Sequence, residues 1–129
     1  MRGERILDAA ERRALARLRR LAAPLDGAVE VRSFGHPAFK AAGRLFAVLD
    51  RYRGEPCLWL RVDPLERTAL IARRGWFAAP YDPRCAALCC RLEAIDWRRI
   101  GARVRDSYAL ATLGSGARRP RPPRDQRTV

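Results

Sequence analysis

The run 44–63 constrains the fold more than any other part of this chain. Two apolar segments, 45–49 and 57–62, flank a polar stretch, 50–56, that is rich in turn-forming residues. In the second segment apolar and other residues alternate, which is the period of a strand with one face on a core. We therefore predict a long β-hairpin with a basic tip. The tip residues are Arg51, Tyr52 and Arg53.

Three further segments are predicted to be helices. Residues 4–22 have an apolar stripe at helical spacing, and the glycine and proline that follow end the pattern. A short helix is predicted from Pro64, with Asp63 as its cap, and a longer one after Asp96. The polar face of this last helix is basic. Its arginines are Arg98, Arg99, Arg103 and Arg105.

Shorter strands are predicted on both sides of the hairpin. Residues 28–34 alternate apolar and polar side chains, and 38–42 form a short strand after a break at 35–37. Residues 85–92 favour a buried strand, although so short a segment also permits a helix. The resulting order, α-β-β-β-β-α-β-α, predicts an α+β domain of two layers. In it a mainly antiparallel sheet is packed on one face by helices.

The net charge of +13 favours a polyanionic partner, and nucleic acid before a membrane. Residues 1–20 and 117–129 each carry +4, so the body, 21–116, carries +5. No apolar run reaches the roughly 20 residues that cross a bilayer, and the amino terminus lacks a signal-peptide pattern. We expect a soluble, cytoplasmic protein with no membrane partner, and a monomer rather than an obligate oligomer.

The end of the chain differs in composition from the rest. Residues 114–129 contain glycine, proline and arginine and almost no apolar side chain. Such a segment cannot bury enough surface to offset its conformational entropy. We predict a disordered tail here and a single domain over residues 1–113.

The four cysteines and the one histidine do not form a recognisable metal motif. Cys85, Cys89 and Cys90 lack the paired spacing of structural zinc ligands, and Cys89 and Cys90 would point to opposite faces of a strand. We expect buried, reduced thiols, no metal and no cofactor. His36 lies in a predicted turn without a nucleophile beside it, and no phosphate-binding loop is present. We therefore expect a binding protein rather than an enzyme.

Six short segments occur in an order that is typical of one family. They are Gly35 to Phe39, Gly43 to Ala47, Leu58 to Pro64, Trp76 to Tyr81, Leu92 to Trp97 and Asp106 to Tyr108. Over roughly residues 4–113 the chain resembles the MmcQ/YjbR family of small bacterial proteins. The resemblance implies a fold similar to that of CyaY and frataxin, and DNA binding of a double-wing type. The cysteine-rich strand departs from the family pattern, which has an aromatic residue and valines there.

Three groups of residues are candidates for binding double-stranded DNA. They are the hairpin tip (Arg51, Tyr52 and Arg53), the pair Arg73 and Arg74, and Arg99 with Arg103 on the last helix. An arginine-tipped hairpin can lie along a groove and contact phosphates. The same arginines also fit non-specific attraction to polyanions, or a solvated face without a partner.

An aromatic segment supports a different function. Residues 76–83 include Trp76, Phe77 and Tyr81, which can line a pocket for a small ligand or a protein partner. Large aromatic residues are usually buried, so packing of this segment onto the core is the competing interpretation. For the Ser107-Tyr108 pair, we expect core packing with a hydrogen-bonded hydroxyl group.

Overall fold

A computed structural model describes residues 5–79 and 87–116 of the chain, with side chains to residue 113. Its helices are α1 (Ala9–Ala22), α2 (Pro64–Ile71) and α3 (Ile100–Gly116), and a one-turn 3-10 helix spans Leu92–Ala94. Its strands are β1 (Val29–Ser33), β2 (His36–Ala41), β3 (Arg44–Tyr52), β4 (Glu55–Arg61), β5 (Trp76–Ala78) and β6 (Ala87–Arg91). The predicted α+β class is confirmed.

The strands form one sheet in the order β1-β2-β3-β4-β6-β5, in which all neighbours are antiparallel. Two-residue turns join the first four strands. Both residues of each turn have a positive φ, as in the type I′ turns that match the twist of a hairpin. The turns are Phe34-Gly35, Ala42-Gly43 and Arg53-Gly54. After β4 the chain passes through α2 to the sheet edge and returns as β6.

Several predicted boundaries were wrong. The turn of the long hairpin has two residues rather than seven, so Arg51 and Tyr52 belong to β3. His36 begins β2 instead of lying in a break. The predicted aromatic loop contains the edge strand β5, because its backbone pairs with β6. The strand predicted at 85–92 is β6, and the alternative of a helix there was wrong.

The start of the first helix and the end of the last helix also differ from the prediction. Helix α1 begins at Ala9, because Asp8 and Glu11 form a reciprocal capping box at that point. Helix α3 continues past residue 113 to Gly116. The rest of the predicted tail, 117–129, lies outside the described residues. Within the described part of the chain, no helix has the length and apolar character needed to span a bilayer.

The main core lies between one face of the sheet and the helices α1 and α3. Its fully buried members include Leu18 of α1, Leu58 and Leu60 of β4, and Val104 of α3. Helix α2 covers the far end of the same face. Its Leu70 packs with Leu88 of β6, which lies beside Leu60 in the sheet. The predicted packing of the helices on one face therefore holds for this part of the molecule.

Helix α3 is hydrogen-bonded to the sheet at a β-bulge between β2 and β3. The register between β2 and β3 shifts at Phe39/Lys40, and Phe46 packs into the helix-facing core. The Ser107 hydroxyl donates to the Phe46 carbonyl (2.6 Å) and accepts from the backbone N–H of Arg61 (2.8 Å). Tyr108 packs edge-on against Phe46 (5.6 Å) and donates to the Asp26 carbonyl (2.7 Å). The structural interpretation of the Ser-Tyr pair is thus confirmed.

Gly75 sets the position of the turn that follows α2. Its φ is +89°, and a Cβ atom there would lie 2.3 Å from the Cβ of Ala94 in the 3-10 helix. Its carbonyl also accepts from the backbone N–H of Arg91 (2.9 Å). Because no side chain separates them, the turn and the 3-10 helix are held in direct contact.

We predict that Gly75→Ala lowers the free energy of unfolding by roughly 3 kcal/mol. The change combines an unfavourable positive φ with overlap against Ala94. Gly54→Ala is the matched control, since its φ is +80° but nothing lies within 4 Å of the added Cβ. It should cost only about 1 kcal/mol. Urea denaturation measures both, and equal losses would contradict the close contact at Gly75.

Candidate functional site

A groove of about 780 Å³ lies between the turn after α2, the 3-10 helix and the amino-terminal half of α3. Its described lining contains six arginines and one carboxylate, that of Asp96. The arginines are Arg73, Arg74, Arg98, Arg99, Arg103 and Arg105. A concave wall with one sign of charge concentrates the electrostatic field and attracts counter-ions of the opposite sign.

Two of the six arginines have acidic partners. Arg103 forms an ion pair with Glu66 of α2, and Arg99 lies 3.6 Å from Asp96. Both side chains in the second pair are mostly exposed, so that attraction is weak. The other four arginines form no ion pair with any residue that the structure describes. The groove therefore keeps an excess of positive charge.

The start of α3 adds to the positive potential of the groove. The Asp96 carboxylate accepts from the backbone N–H of Arg98 (3.1 Å), and the Asp96 carbonyl accepts from that of Ile100 (2.9 Å). The remaining N–H groups of the first turn and the helix dipole give this end a partial positive charge. Arginine side chains and the helix terminus thus act on the same volume.

The fold brings together four of the seven predicted nucleic-acid-binding residues. Arg73 and Arg74 come from the turn after α2, Arg99 directly precedes α3, and Arg103 lies in its first turn. Sequence reasoning did not select Arg98 and Arg105, although it placed both on the polar face of the last helix. Their spacing of seven residues, two helical turns, is the signal that could have identified them as one face.

The hairpin tip does not join this group, because Arg51 is held by acidic residues of α1. Its guanidinium group contacts the Glu11 carboxylate at 3.0 and 3.2 Å and the Asp8 carboxylate at 3.1 Å. A further hydrogen bond goes to the Gly54 carbonyl (2.7 Å). Glu11 is completely buried. Burial raises its pKa, but the hydrogen bonds from Arg51 and Asp8 and the ion pair with Arg5 outweigh burial, and the net pKa is lowered.

Arg5 extends this network to the only histidine. Nη1 of Arg5 lies 2.6 Å from Oε2 of Glu11, and Nε of Arg5 donates to Nδ1 of His36 (2.6 Å). Nε2 of His36 lies 3.2 Å from the Asp50 carboxylate. Nδ1 therefore accepts and Nε2 carries the proton, which is the neutral form of the ring. Burial lowers the pKa of His36; Asp50 opposes this shift and Arg5 reinforces it.

The other two tip residues, Tyr52 and Arg53, belong to a stack of aromatic rings and guanidinium groups. This stack lies on the face of the sheet that is opposite α1 and α3. Tyr52 lies against Phe77 of β5, with ring centroids 5.4 Å apart, and the Arg53 guanidinium lies over Tyr52 (5.2 Å). The Arg91 guanidinium lies over Phe77 (5.0 Å). Arg53 is exposed and Tyr52 is half-buried. Only Arg53 of the three tip residues is therefore open to a phosphate.

The aromatic candidates are divided between the two faces of the sheet. Trp76 lines the basic groove and packs against Leu70 and Leu88, whereas Phe77 belongs to the stack on the opposite face. Tyr81 lies outside the described residues. Trp76 and Phe77 thus do not converge on one aromatic pocket.

The described cysteines are free and buried. Cys57 and Cys89 share one face of the sheet, and Cys90 lies on the other beside the groove, as predicted for neighbours in a strand. A hydrogen bond with Cys57, together with burial, raises the pKa of Cys89, and burial raises that of Cys90 to about 11. Cys85 lies outside the described residues. Within the described parts, no three potential ligands are grouped to hold a metal ion.

We predict that Arg51→Ala lowers the free energy of unfolding by about 3 kcal/mol, because buried Glu11 loses one of its two cations. The matched control is Arg53→Ala, which removes the same charge two residues away. It should change stability by no more than about 0.5 kcal/mol. Chemical denaturation of both variants measures the difference. Equal effects would show that Arg51 does not hold α1 to the hairpin.

We also predict a loss of stability in mild acid that depends on His36. Its folded-state pKa is lowered from the ordinary value near 6.5, so the unfolded chain binds the proton first as the pH falls. The stability that comes from neutral His36 is fully present above the ordinary pKa and is lost as the pH falls below it. Glu11 titrates at lower pH, because its pKa lies below the ordinary 4.5. Between about pH 7.5 and about pH 5.5, His36→Gln should lose less stability than the natural chain in urea titrations. Identical losses would refute the neutral ring.

Comparison with known proteins agrees with the resemblance found in the sequence. The model of the YjbR family matches residues 23–110, which cover β1 to β6 and most of α3. No curated protein and no solved structure gives a significant match. Because the match includes more than half of the chain and both walls of the basic groove, the family assignment applies to the site as well as to the sheet. The chain belongs to the YjbR family.

Proposed function

We propose that this protein is a non-catalytic DNA-binding protein whose main contact surface is the basic groove. The observation that carries the proposal is the set of six arginines on one concave surface, with a single carboxylate among the described lining residues. Four of them have no acidic partner within the described residues. The described part of the chain thus leaves these charges open to a bound anion, and a polyphosphate is the partner that offers many anions at regular spacing.

The arginines are placed on different elements, which favours an extended polyanion over a single small anion. Arg73 and Arg74 lie on one wall, and Arg98, Arg99 and Arg105 lie on the other. A guanidinium group can donate two parallel hydrogen bonds to one phosphate. Contacts of this kind set affinity and register without reading bases. We infer binding that depends strongly on salt and weakly on sequence.

The hairpin has a smaller part in this proposal than the sequence indicated. Arg51 neutralises Glu11 and Asp8, so only Arg53 remains exposed at the turn. One exposed arginine can add one phosphate contact at the edge of the DNA footprint. The groove, rather than the wing, is the centre of the proposed interface.

The test compares two double variants of the full chain. Arg73→Ala with Arg74→Ala removes two groove charges. Arg20→Ala with Arg44→Ala removes two exposed charges that do not line the groove. Fluorescence anisotropy with a labelled duplex of about 20 base pairs gives the affinity over a series of salt concentrations. The first pair should reduce the slope of log affinity against log salt by about two, since each phosphate contact contributes roughly 0.9.

The control pair should leave that slope almost unchanged. Equal reductions by both pairs would mean that net charge alone attracts DNA and would refute the groove as the contact surface. Absence of binding at low salt would refute double-stranded DNA as the partner. Circular dichroism of each variant confirms that the exposed substitutions leave the fold intact.

A further inference from the structure

The basic groove contains two tryptophans in addition to its arginines. Trp76 lines it from β5 and Trp97 from the loop before α3, and both are half-buried. Apolar side chains complete the same surface. These are Leu21, Leu70, Ile95 and Ile100. A flat row of arginines would suffice for phosphates, whereas a mixed apolar and charged cavity is typical of sites that enclose a ring system.

Trp97 is placed to contact more than the main groove. It also lines a second cavity of about 370 Å³, whose charged lining residues include Arg13 and Arg17 as well as Glu55 and Glu93. The Arg17 guanidinium lies 5.2 Å from the centroid of the Trp97 ring, which is the distance of a cation–π contact. This contact restrains the indole at the border between the two cavities. The aromatic ring thus lies between the basic groove and Arg17, at the edge of a second cavity of mixed charge.

Phosphate spacing alone does not distinguish paired from unpaired DNA, but an aromatic ring between arginines does. In a duplex each base is stacked on both sides and offers only its edge. An unpaired base offers a π-face, and stacking on an aromatic side chain contributes about 1–3 kcal/mol per base. Proteins that hold single strands combine a positive groove with such aromatic platforms. The groove has both features.

We propose, building on the DNA-binding function above, that the groove takes unpaired nucleotides of a single strand. A base stacks in the cavity lined by Trp76 and Trp97, and the flanking phosphates contact Arg73 and Arg74 on one wall and Arg98 on the other. The second cavity continues the path across Trp97 toward Arg13 and Arg17.

The first test varies the ligand and leaves the full chain unchanged. Three labelled probes with the same number of phosphates are compared at one salt concentration. They are an oligothymidine, an abasic strand of equal length, and a blunt duplex. The oligothymidine should bind about 5- to 150-fold tighter than the abasic strand, which is the stacking contribution of one base converted to affinity. It should also bind tighter than the duplex.

The second test varies the protein. Trp97→Leu should remove most of the difference between oligothymidine and the abasic strand, while Trp59→Leu, on the opposite face of the sheet, should keep it. Should Trp97→Leu fail to fold, intrinsic fluorescence of a Trp59→Phe variant replaces it. Oligothymidine should then quench the remaining emission and the abasic strand should not.

The outcomes separate this inference from the proposed function. Equal affinity for oligothymidine and the abasic strand, with binding still sensitive to Arg73→Ala and Arg74→Ala, would overturn the unpaired-base site and leave DNA binding in place. Tighter binding of the duplex than of either strand would do the same. If no probe responds to the two arginine substitutions, the proposed function fails and this inference fails with it.

Discussion

The pairing of the buried Glu11 carboxylate with two arginines is the interaction on which the docking of α1 against the sheet depends. It lies on the first turn of α1 and is surrounded by the guanidinium groups of Arg5 and Arg51 and by the backbone N–H of Asp8. An isolated buried charge is so unfavourable that α1 must dock where both cations are available. Arg51 comes from β3, so this one carboxylate fixes the helix against the long hairpin. The carboxy-terminal end of α1, which supplies Leu21 to the groove, is positioned by the same contact.

The ion pairs of α1 also affect which parts of the surface carry the positive electrostatic potential. Acidic residues of α1 and β1 are paired with arginines of neighbouring elements, as in the two-point contact of Glu30 with Arg19 at 2.8 and 2.9 Å. Those arginines contribute little to the outer field. In the groove, by contrast, the described arginines outnumber the carboxylates, and the start of α3 adds its own partial charge. The excess of positive charge is therefore local, although the composition gave only a total.

The sequence was sufficient for the fold class and for part of the site. Alternation in 57–62 and the turn-forming residues in 50–56 identified the hairpin, because these signals depend on local backbone geometry. The partner of Arg51 was beyond such reasoning, since an ion pair between residues 40 positions apart leaves no local pattern. Strand β5 was missed for a similar reason. Three residues are too few to show a period, and only pairing with β6 makes them a strand.

The candidate site follows the same division. Arg73 and Arg74 were selected as a pair next to an aromatic residue, and the last helix was selected for its basic face. That the two surfaces meet depends on the contact of Gly75 with Ala94, which is a property of tertiary packing. Cys90 was expected to be a buried thiol, and it is buried. It also lies beside the groove, because its position in β6 places it on the helix-facing side of the sheet.

The Ser107 hydroxyl has a consequence for the mechanics of this surface. At the bulge it bridges a carbonyl of β3 and an amide of β4, so a side chain of α3 takes part in the hydrogen bonding of the sheet. A helix held by apolar contacts alone can slide along a sheet at little cost, but here sliding would break two hydrogen bonds at a fully buried site. The two hydrogen bonds of Ser107 therefore fix the position of α3 along the strands. The same two hydrogen bonds also fix the backbone positions from which Arg103 and Arg105 of α3 extend into the groove.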